Sequence, residues 1–167
     1  FEERTTAYWR EWVHRLALPL EWQDAVIRAA ITLKLCSYEP TGAIVAAMTT
    51  SIPEAASSTR NWDYRFCWIR DAFFVVRALN SLSEVGTMED YLRWLRDAVG
   101  STVGEHIQPL YGIGLERELP ERVIEHLGGY RGHRPVRVGN QAAEHFQHDV
   151  YGNIVLGAAQ SFHDHRL

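Results

Sequence analysis

Residues 61–71 read NWDYRFCWIRD, and this segment places four aromatic residues beside two acids and two arginines. It leads directly into a helical pattern, because the apolar residues that follow recur at three- and four-residue steps: Ala72, Val75, Val76, Leu79 and Leu82. Asp71 suits the start of this helix, either as its cap or as an acid of its first turn. The segment therefore predicts a charged, aromatic loop fixed to the beginning of a buried helix.

The charges of this segment leave two interpretations open. Arg70 and Asp71 follow closely on Trp68, and burying such charges is costly unless they are hydrogen-bonded. In the first interpretation they form a structural ion pair and the aromatic side chains are core. In the second they face a cavity, where a sugar satisfies them with its hydroxyl groups and covers the indole with its apolar C–H face.

Four other segments show apolar residues at helical spacing, namely residues 8–16, 22–35, 91–99 and 140–163, although Gly152 and Gly157 weaken the last pattern. Thr87 resembles the first residue of a capping box before the third of them. Residues 43–50 are expected to be extended. Residues 100–137 are rich in glycine and proline and predict mostly loop, with a short helix at 120–126. Because no run of alternating strands is present, we predict an all-α chain, built as a bundle or a toroid of helices.

Composition excludes several classes of protein. A length of 167 residues with 46% hydrophobic residues predicts one globular domain. No stretch approaches the roughly 20 apolar residues that cross a bilayer, and a net charge of −4 argues against binding to a phosphate backbone. We therefore expect neither a membrane nor a nucleic acid as partner. The two cysteines lack a CxxC motif, so we expect no redox or structural zinc chemistry and no cofactor.

The N-terminal sequence leads to two further predictions, about location and about the length of the whole protein. It begins at Phe1 and shows no basic segment followed by an apolar one, which predicts the absence of a signal peptide and a cytoplasmic location. A start without methionine suggests a piece of a longer protein.

Histidines offer one competing hypothesis, a metal site. The chain has eight of them, including His145 with His148 and His163 with His165. A three-residue spacing can place two imidazoles on one helix face. Neither an HExxH motif nor a cysteine completes a ligand set, so we expect no metal.

Three segments together resemble the bacterial glycoside hydrolase family 15, the glucoamylase and trehalase group. Residues 61–71 match its NWDYRxCWxRD segment, residues 40–54 match PTGAIVAAxTTSxPE, and residues 134–140 match RPVRxGN. The resemblance runs from about residue 20 to the C-terminus. It implies a partial (α/α)6 toroid, similar to six-hairpin glycosidases, with long loops at the active-site end. Residues 1–19 would be a linker helix region and residues 20–167 the first part of the catalytic domain, with a β-sandwich domain and the rest of the toroid outside the chain.

The resemblance also implies a function. The whole protein would be an exo-acting, inverting α-glucosidase of the glucan 1,4-α-glucosidase type, which releases glucose from the non-reducing ends of α-glucans. The subsite for the terminal glucose would be lined by Tyr64, Trp68, Arg70 and Asp71, with Arg137 as a further candidate. The general acid and base are expected beyond Leu167, so the chain holds no catalytic residue and is expected to be inactive alone. The alternatives are a trehalase of the same family and a non-catalytic module that binds α-glucan.

Overall fold

Helices make up most of the regular structure in residues 1–102 and 106–166, which the computed structural model describes. The five α-helices are α1 (Glu2–His14), α2 (Gln23–Leu35), α3 (Ile69–Ser81), α4 (Gly86–Gly100) and α5 (Asp149–His163). Two 3₁₀ helices span Tyr130–Gly132 and Gln141–Glu144. The helix-rich character predicted from apolar periodicity is confirmed over this described part of the chain. No helix within it is long and apolar enough to cross a membrane.

Six two-residue strands form three antiparallel pairs among the described residues. β1 (Ser37–Tyr38) pairs with β2 (Ala43–Ile44), β3 (Cys67–Trp68) with β4 (Leu110–Tyr111), and β5 (Arg122–Val123) with β6 (Arg137–Val138). The segment expected to be extended, 43–50, forms β2 at its first two residues and an antiparallel bridge from Thr50 to Asp63 at its end. These pairs join the segments between the helices to one another.

The main core lies where α3 packs against α4 and α5. Trp94 of α4 is 1% exposed, stacks on Tyr91 at 5.9 Å between ring centroids, and meets the edge of Tyr111 at 5.9 Å. Aromatic pairs in these geometries stabilise a fold beyond their burial of apolar area. This core therefore holds the beginning of α3, and with it residues 61–71, in a fixed place.

A second apolar cluster fixes α1 onto α2 and the end of α3, through Trp12, Leu16, Ala30 and Leu79. A polar contact supports it, because the Tyr8 hydroxyl donates to Glu39 at 2.9 Å. Glu39 also pairs with the buried Lys34 at 3.1 Å. The N-terminal helix is therefore joined to the rest of the chain by both apolar and charged contacts.

Several sequence predictions need correction. The helix predicted at 140–163 is two elements, because the Asn140 side chain accepts from the Ala142 N–H and caps a short 3₁₀ helix before α5 begins at Asp149. The helix predicted at 120–126 is wrong, since β5 pairs there with β6. Thr87 does not cap α4; it is the second helical residue, and its N–H donates to the Glu84 carboxylate at 3.1 Å. Residues 103–105 of the predicted loop lie outside the described residues.

Candidate functional site

Asp63 joins two of the three segments that the sequence singled out. Its side chain is fully buried, and its carboxylate accepts from Nε and Nη2 of Arg65, both at 2.9 Å. The same carboxylate accepts from the Gly139 N–H at 3.2 Å, and the Asp63 carbonyl accepts from Nδ2 of Asn140 at 3.0 Å. Because these are hydrogen bonds to a buried charge, residues 61–71 and 134–140 form one rigid wall.

The third segment, residues 40–54, reaches the same wall. The Arg137 N–H donates to Oγ of Ser51 at 2.7 Å, and the Arg137 carbonyl accepts from Oγ1 of Thr50 at 2.7 Å. Asn61 adds a further tie, since its Nδ2 donates to the Pro135 carbonyl at 3.1 Å. Residues that are 74 to 87 positions apart in the chain thus meet at one place.

A cavity of about 430 Å³ opens where these segments meet. Its volume lies within the range of roughly 300–1,000 Å³ that is usual for small-molecule sites. Tyr64 and Trp68 form an aromatic corner in it, with ring centroids 6.0 Å apart and planes inclined by 46°. The lining residues are Arg60, Trp62, Tyr64, Trp68, Glu121, Arg137, Asn140, Gln141, Ala142 and His145.

The charged part of the lining is neutralised within the protein. Nε of Arg60 lies 2.6 Å from Glu54, and Nη1 of Arg137 lies 2.6 Å from Oε1 of Glu121. The two guanidinium groups lie 5.9 and 5.0 Å from the centroid of the Trp62 ring. A cavity whose cations are already paired suits an uncharged polar ligand better than a phosphate, because an anion would compete with the carboxylates for the arginines.

Tyr64 presents its hydroxyl group in the protonated form. Burial raises the pKa of this phenol, and the neighbouring Glu54 carboxylate raises it further. The hydroxyl donates to Oε1 of Glu54 at 3.3 Å. The hydrogen bond from Arg60 in turn lowers the pKa of Glu54, which therefore stays ionised. The aromatic corner is thus fixed at its polar end.

Arg70 and Asp71 lie at the start of α3, next to the cavity but not among its lining residues. Nη1 of Arg70 is 3.0 Å from Oδ2 of Asp149, and its Nη2 is 3.6 Å from Oδ2 of Asp71. That Asp71 oxygen is buried and has no hydrogen-bond partner within the described residues. Burial raises the pKa of Asp71, and Arg70 opposes the rise. Asp71 follows Trp68 of the aromatic corner by three residues.

The structure thus gathers three of the five sequence-predicted residues in one cavity, namely Tyr64, Trp68 and Arg137. Trp62 and Asn140 could have been predicted as lining residues from the sequence, because they lie in segments 61–71 and 134–140. Glu121 and His145 carried no such signal, since each lies outside those segments. Among the described residues, no group of three or more His, Cys, Asp or Glu side chains is placed to hold a metal ion.

Comparisons with a family model and with curated proteins both find similarity to glycoside hydrolases. The family model described as glycosyl hydrolases family 15 matches residues 22–164. Similar proteins include one named trehalase from Mycolicibacterium smegmatis, which is 41% identical over 155 residues that cover 91% of this chain and 23% of that protein. Another, also named trehalase, is from Thermoplasma volcanium, with 43% identity over 153 residues, 92% of this chain and 24% of that protein. A third, named trehalase, from Mycobacterium tuberculosis, is 42% identical over 155 residues, 91% of this chain and 23% of that protein.

The chain therefore spans about a quarter of the length of these curated relatives. No solved structure matches it significantly.

Proposed function

The chain belongs to family 15 of the glycosyl hydrolases, and from this premise we propose that the protein containing it is a glycoside hydrolase that cleaves trehalose. The substrate is inferred from relatives that share 41–43% of their matched residues with this chain and are named trehalase. These names favour trehalose over α-1,4-glucans, so the glucoamylase activity expected from the sequence becomes the second candidate.

The observation that carries the proposal is the cavity in which aromatic rings stand beside internally paired charges. A pyranose ring has an apolar C–H face, which packs on aromatic side chains such as Trp68 and Tyr64. Its hydroxyl groups need donors and acceptors, which Arg137 and the Tyr64 hydroxyl supply. A glucose unit meets all of these requirements without bringing a charge.

Arg70 and Asp71 are proposed to bind the outer hydroxyl groups of that glucose. The Asp71 side chain is 38% exposed, so part of it can contact a sugar hydroxyl, while its Oδ2 is buried without a hydrogen-bond partner among the described residues. Arg70 stands 3.6 Å away and is oriented by Asp149 at 3.0 Å. Such contacts, remote from the bond that breaks, increase the rate when they are strongest in the transition state.

Catalysis itself is proposed to use carboxyl groups outside residues 1–167. In an inverting glycosidase one carboxylic acid protonates the departing oxygen and a second carboxylate activates water, roughly 6.5–9.5 Å from the first. No carboxylate of this chain stands in the family's catalytic motifs. The chain therefore contributes the subsite that holds one glucose unit, and so fixes the position of the glycosidic bond.

The domain architecture is part of the same proposal. Residues 1–19 would form the linker helix region, in which α1 packs on α2 and the end of α3 through an apolar cluster. Residues 20–167 would form the first part of an (α/α)6 toroid, to which α3, α4 and α5 contribute packed helices. A β-sandwich domain and the rest of the toroid would complete the protein.

Glucose release from trehalose and from maltose, measured side by side on the protein that contains this chain, tests the proposal. We expect kcat/KM to be at least tenfold higher on trehalose, and to fall about 100-fold in Asp71→Ala, since a charge-assisted contact to the transition state is lost. Asp97→Ala, on an exposed surface of α4, serves as the control and is expected to leave kcat/KM unchanged. A preference for maltose would favour the glucoamylase, and sugar binding without cleavage would favour a binding module. An unchanged kcat/KM in Asp71→Ala would remove this residue from the site.

A further inference from the structure

Glu121 lines the cavity and forms an ion pair there with Arg137. Its carboxylate accepts from Nη1 of Arg137 at 2.6 Å, and the two side chains are 19% and 20% exposed. They are therefore shielded enough for their hydrogen bonds to matter and open enough for a ligand to reach them. Because both side chains line the cavity, a ligand in the cavity can contact them.

The backbone fixes this pair at the cavity wall. Glu121 directly precedes β5, and Arg137 begins β6, which pairs with β5. Gly139 has a φ of +82°, and a Cβ there would lie 2.0 Å from the Pro120 carbonyl oxygen. Only glycine lets the two backbones approach so closely. The position of Glu121 against Arg137 is thus set by the fold and not by the flexible side chains alone.

The Arg137 side chain is 20% exposed and lines the cavity, so part of it can contact a ligand there. Its Nη1 is engaged by Glu121, whereas its Nε is buried and has no hydrogen-bond partner among the described residues. Trp62 covers the guanidinium, with the ring centroid 5.0 Å from its carbon. A guanidinium held in this way is pre-organised to donate in its own plane.

We propose that Glu121 and Arg137 bind the second sugar of a disaccharide, next to the glucose that packs on Trp68; this inference rests on the proposed function. A carboxylate accepts from one hydroxyl group while the adjoining guanidinium donates to the next, which matches two neighbouring hydroxyls of a pyranose. Arg70 and Asp71 on α3 then serve the first sugar and Glu121 serves the second, while the Arg137 guanidinium, which has several N–H donors, donates to both. Glu121 is accordingly a specificity-determining residue for the sugar that leaves.

Two substrates that share the first glucose but carry different leaving groups, a second sugar or a fluoride, separate this role from a structural one. Trehalose carries two glucose units, whereas α-glucosyl fluoride carries one glucose and a leaving fluoride. In the protein that contains this chain, Glu121→Gln is expected to lower kcat/KM on trehalose at least tenfold and to change kcat/KM on the fluoride by less than twofold. Asp97→Asn, which removes a carboxylate from an exposed ion pair of α4, is the matched control and is expected to change neither.

Each result decides between the roles. An equal fall on both substrates, or no fall on trehalose, overturns the inference while the proposed function stands. A wild-type protein that cleaves neither substrate contradicts the proposed function and removes the inference with it. If circular dichroism shows that Glu121→Gln does not fold, Glu121→Asp takes its place. That variant keeps the charge but shortens the side chain, and it is expected to raise KM for trehalose selectively.

Discussion

Replacing Asp63 with alanine tests how the site is held together. The carboxylate is fully buried and accepts four hydrogen bonds, two from the Arg65 guanidinium and one each from the N–H groups of Arg65 and Gly139. Alanine removes both acceptor oxygens and with them all four hydrogen bonds. The two segments that form the cavity wall would then keep fewer direct contacts.

The loss in free energy of unfolding depends on which donors are left without an acceptor. The Arg65 guanidinium is 46% exposed, so water can replace the carboxylate there and little free energy is lost. The two main-chain N–H groups are partly buried, and an unsatisfied buried donor costs roughly 1–3 kcal/mol. We therefore expect Asp63→Ala to lower the free energy of unfolding by about 3 kcal/mol. Arg65→Lys keeps the charge and both main-chain contacts, and it should lower that free energy by only about 1 kcal/mol.

Urea unfolding of the protein containing this chain, followed by circular dichroism, measures both values. Asp63→Ala is also expected to reduce kcat/KM on trehalose, because Arg137 depends on the same wall. The reasoning would be refuted by an Asp63→Ala protein as stable as wild type, or by an Arg65→Lys variant that is destabilised equally.

Three further predictions concern the frame of the site. Gly139→Ala should lower the free energy of unfolding by about 2 kcal/mol or more, because a Cβ would meet a main-chain carbonyl oxygen at 2.0 Å. The control is Gly128→Ala, where a Cβ meets no atom within 4 Å. It should change the free energy of unfolding little in the same urea titration. Trp94→Ala should lower it by about 3–5 kcal/mol, the usual loss for a buried large aromatic residue, and a change below 1 kcal/mol would contradict the assigned core. The hydrogen bond from Tyr8 lowers the pKa of Glu39 below its usual 4.5, so the stability that Glu39 contributes is present above pH 4.5 and disappears as the pH falls through the lowered pKa. Wild type and Glu39→Gln should therefore differ in stability at pH 7 and converge as the pH falls through the lowered pKa, whereas a difference that is independent of pH would count against this assignment.

Local patterns predicted the helices whose packing is regular. The apolar residues of α2, α3 and α4 recur at helical spacing, and each helix formed close to the predicted bounds. Asp71 lies in the first turn of α3, as expected of an acid at a helix start. In these helices the local preference and the tertiary packing agree, so the local sequence pattern is sufficient to predict the helix.

Prediction was wrong where distant contacts override local preference. Residues 120–126 read as a short helix, but β6, beginning at Arg137, supplies a strand partner that no local pattern reveals. The same pairing brings Glu121 to the cavity, across 16 residues of chain. His145 reaches the cavity because the helix predicted at 140–163 is interrupted before α5. The parts of the site that sequence reasoning missed are those built by such long-range pairing.

Arg70 shows the limit of assigning roles from a motif. The segment predicts an arginine and a carboxylate that grip a ligand together, but the sequence does not reveal that Asp149, 79 residues away, also binds this guanidinium. Whether Arg70 and Asp71 contact the sugar stays a prediction, as does the cytoplasmic location.

A crystal structure of the protein that contains this chain, soaked with glucose, tests the central claim most directly. Glucose ordered against Trp68 and Tyr64, with hydroxyl groups within hydrogen-bond distance of Arg137 or Asp71, is the predicted result. Glucose bound only elsewhere on the protein, with the cavity between Trp68 and Arg137 free of sugar, would contradict it.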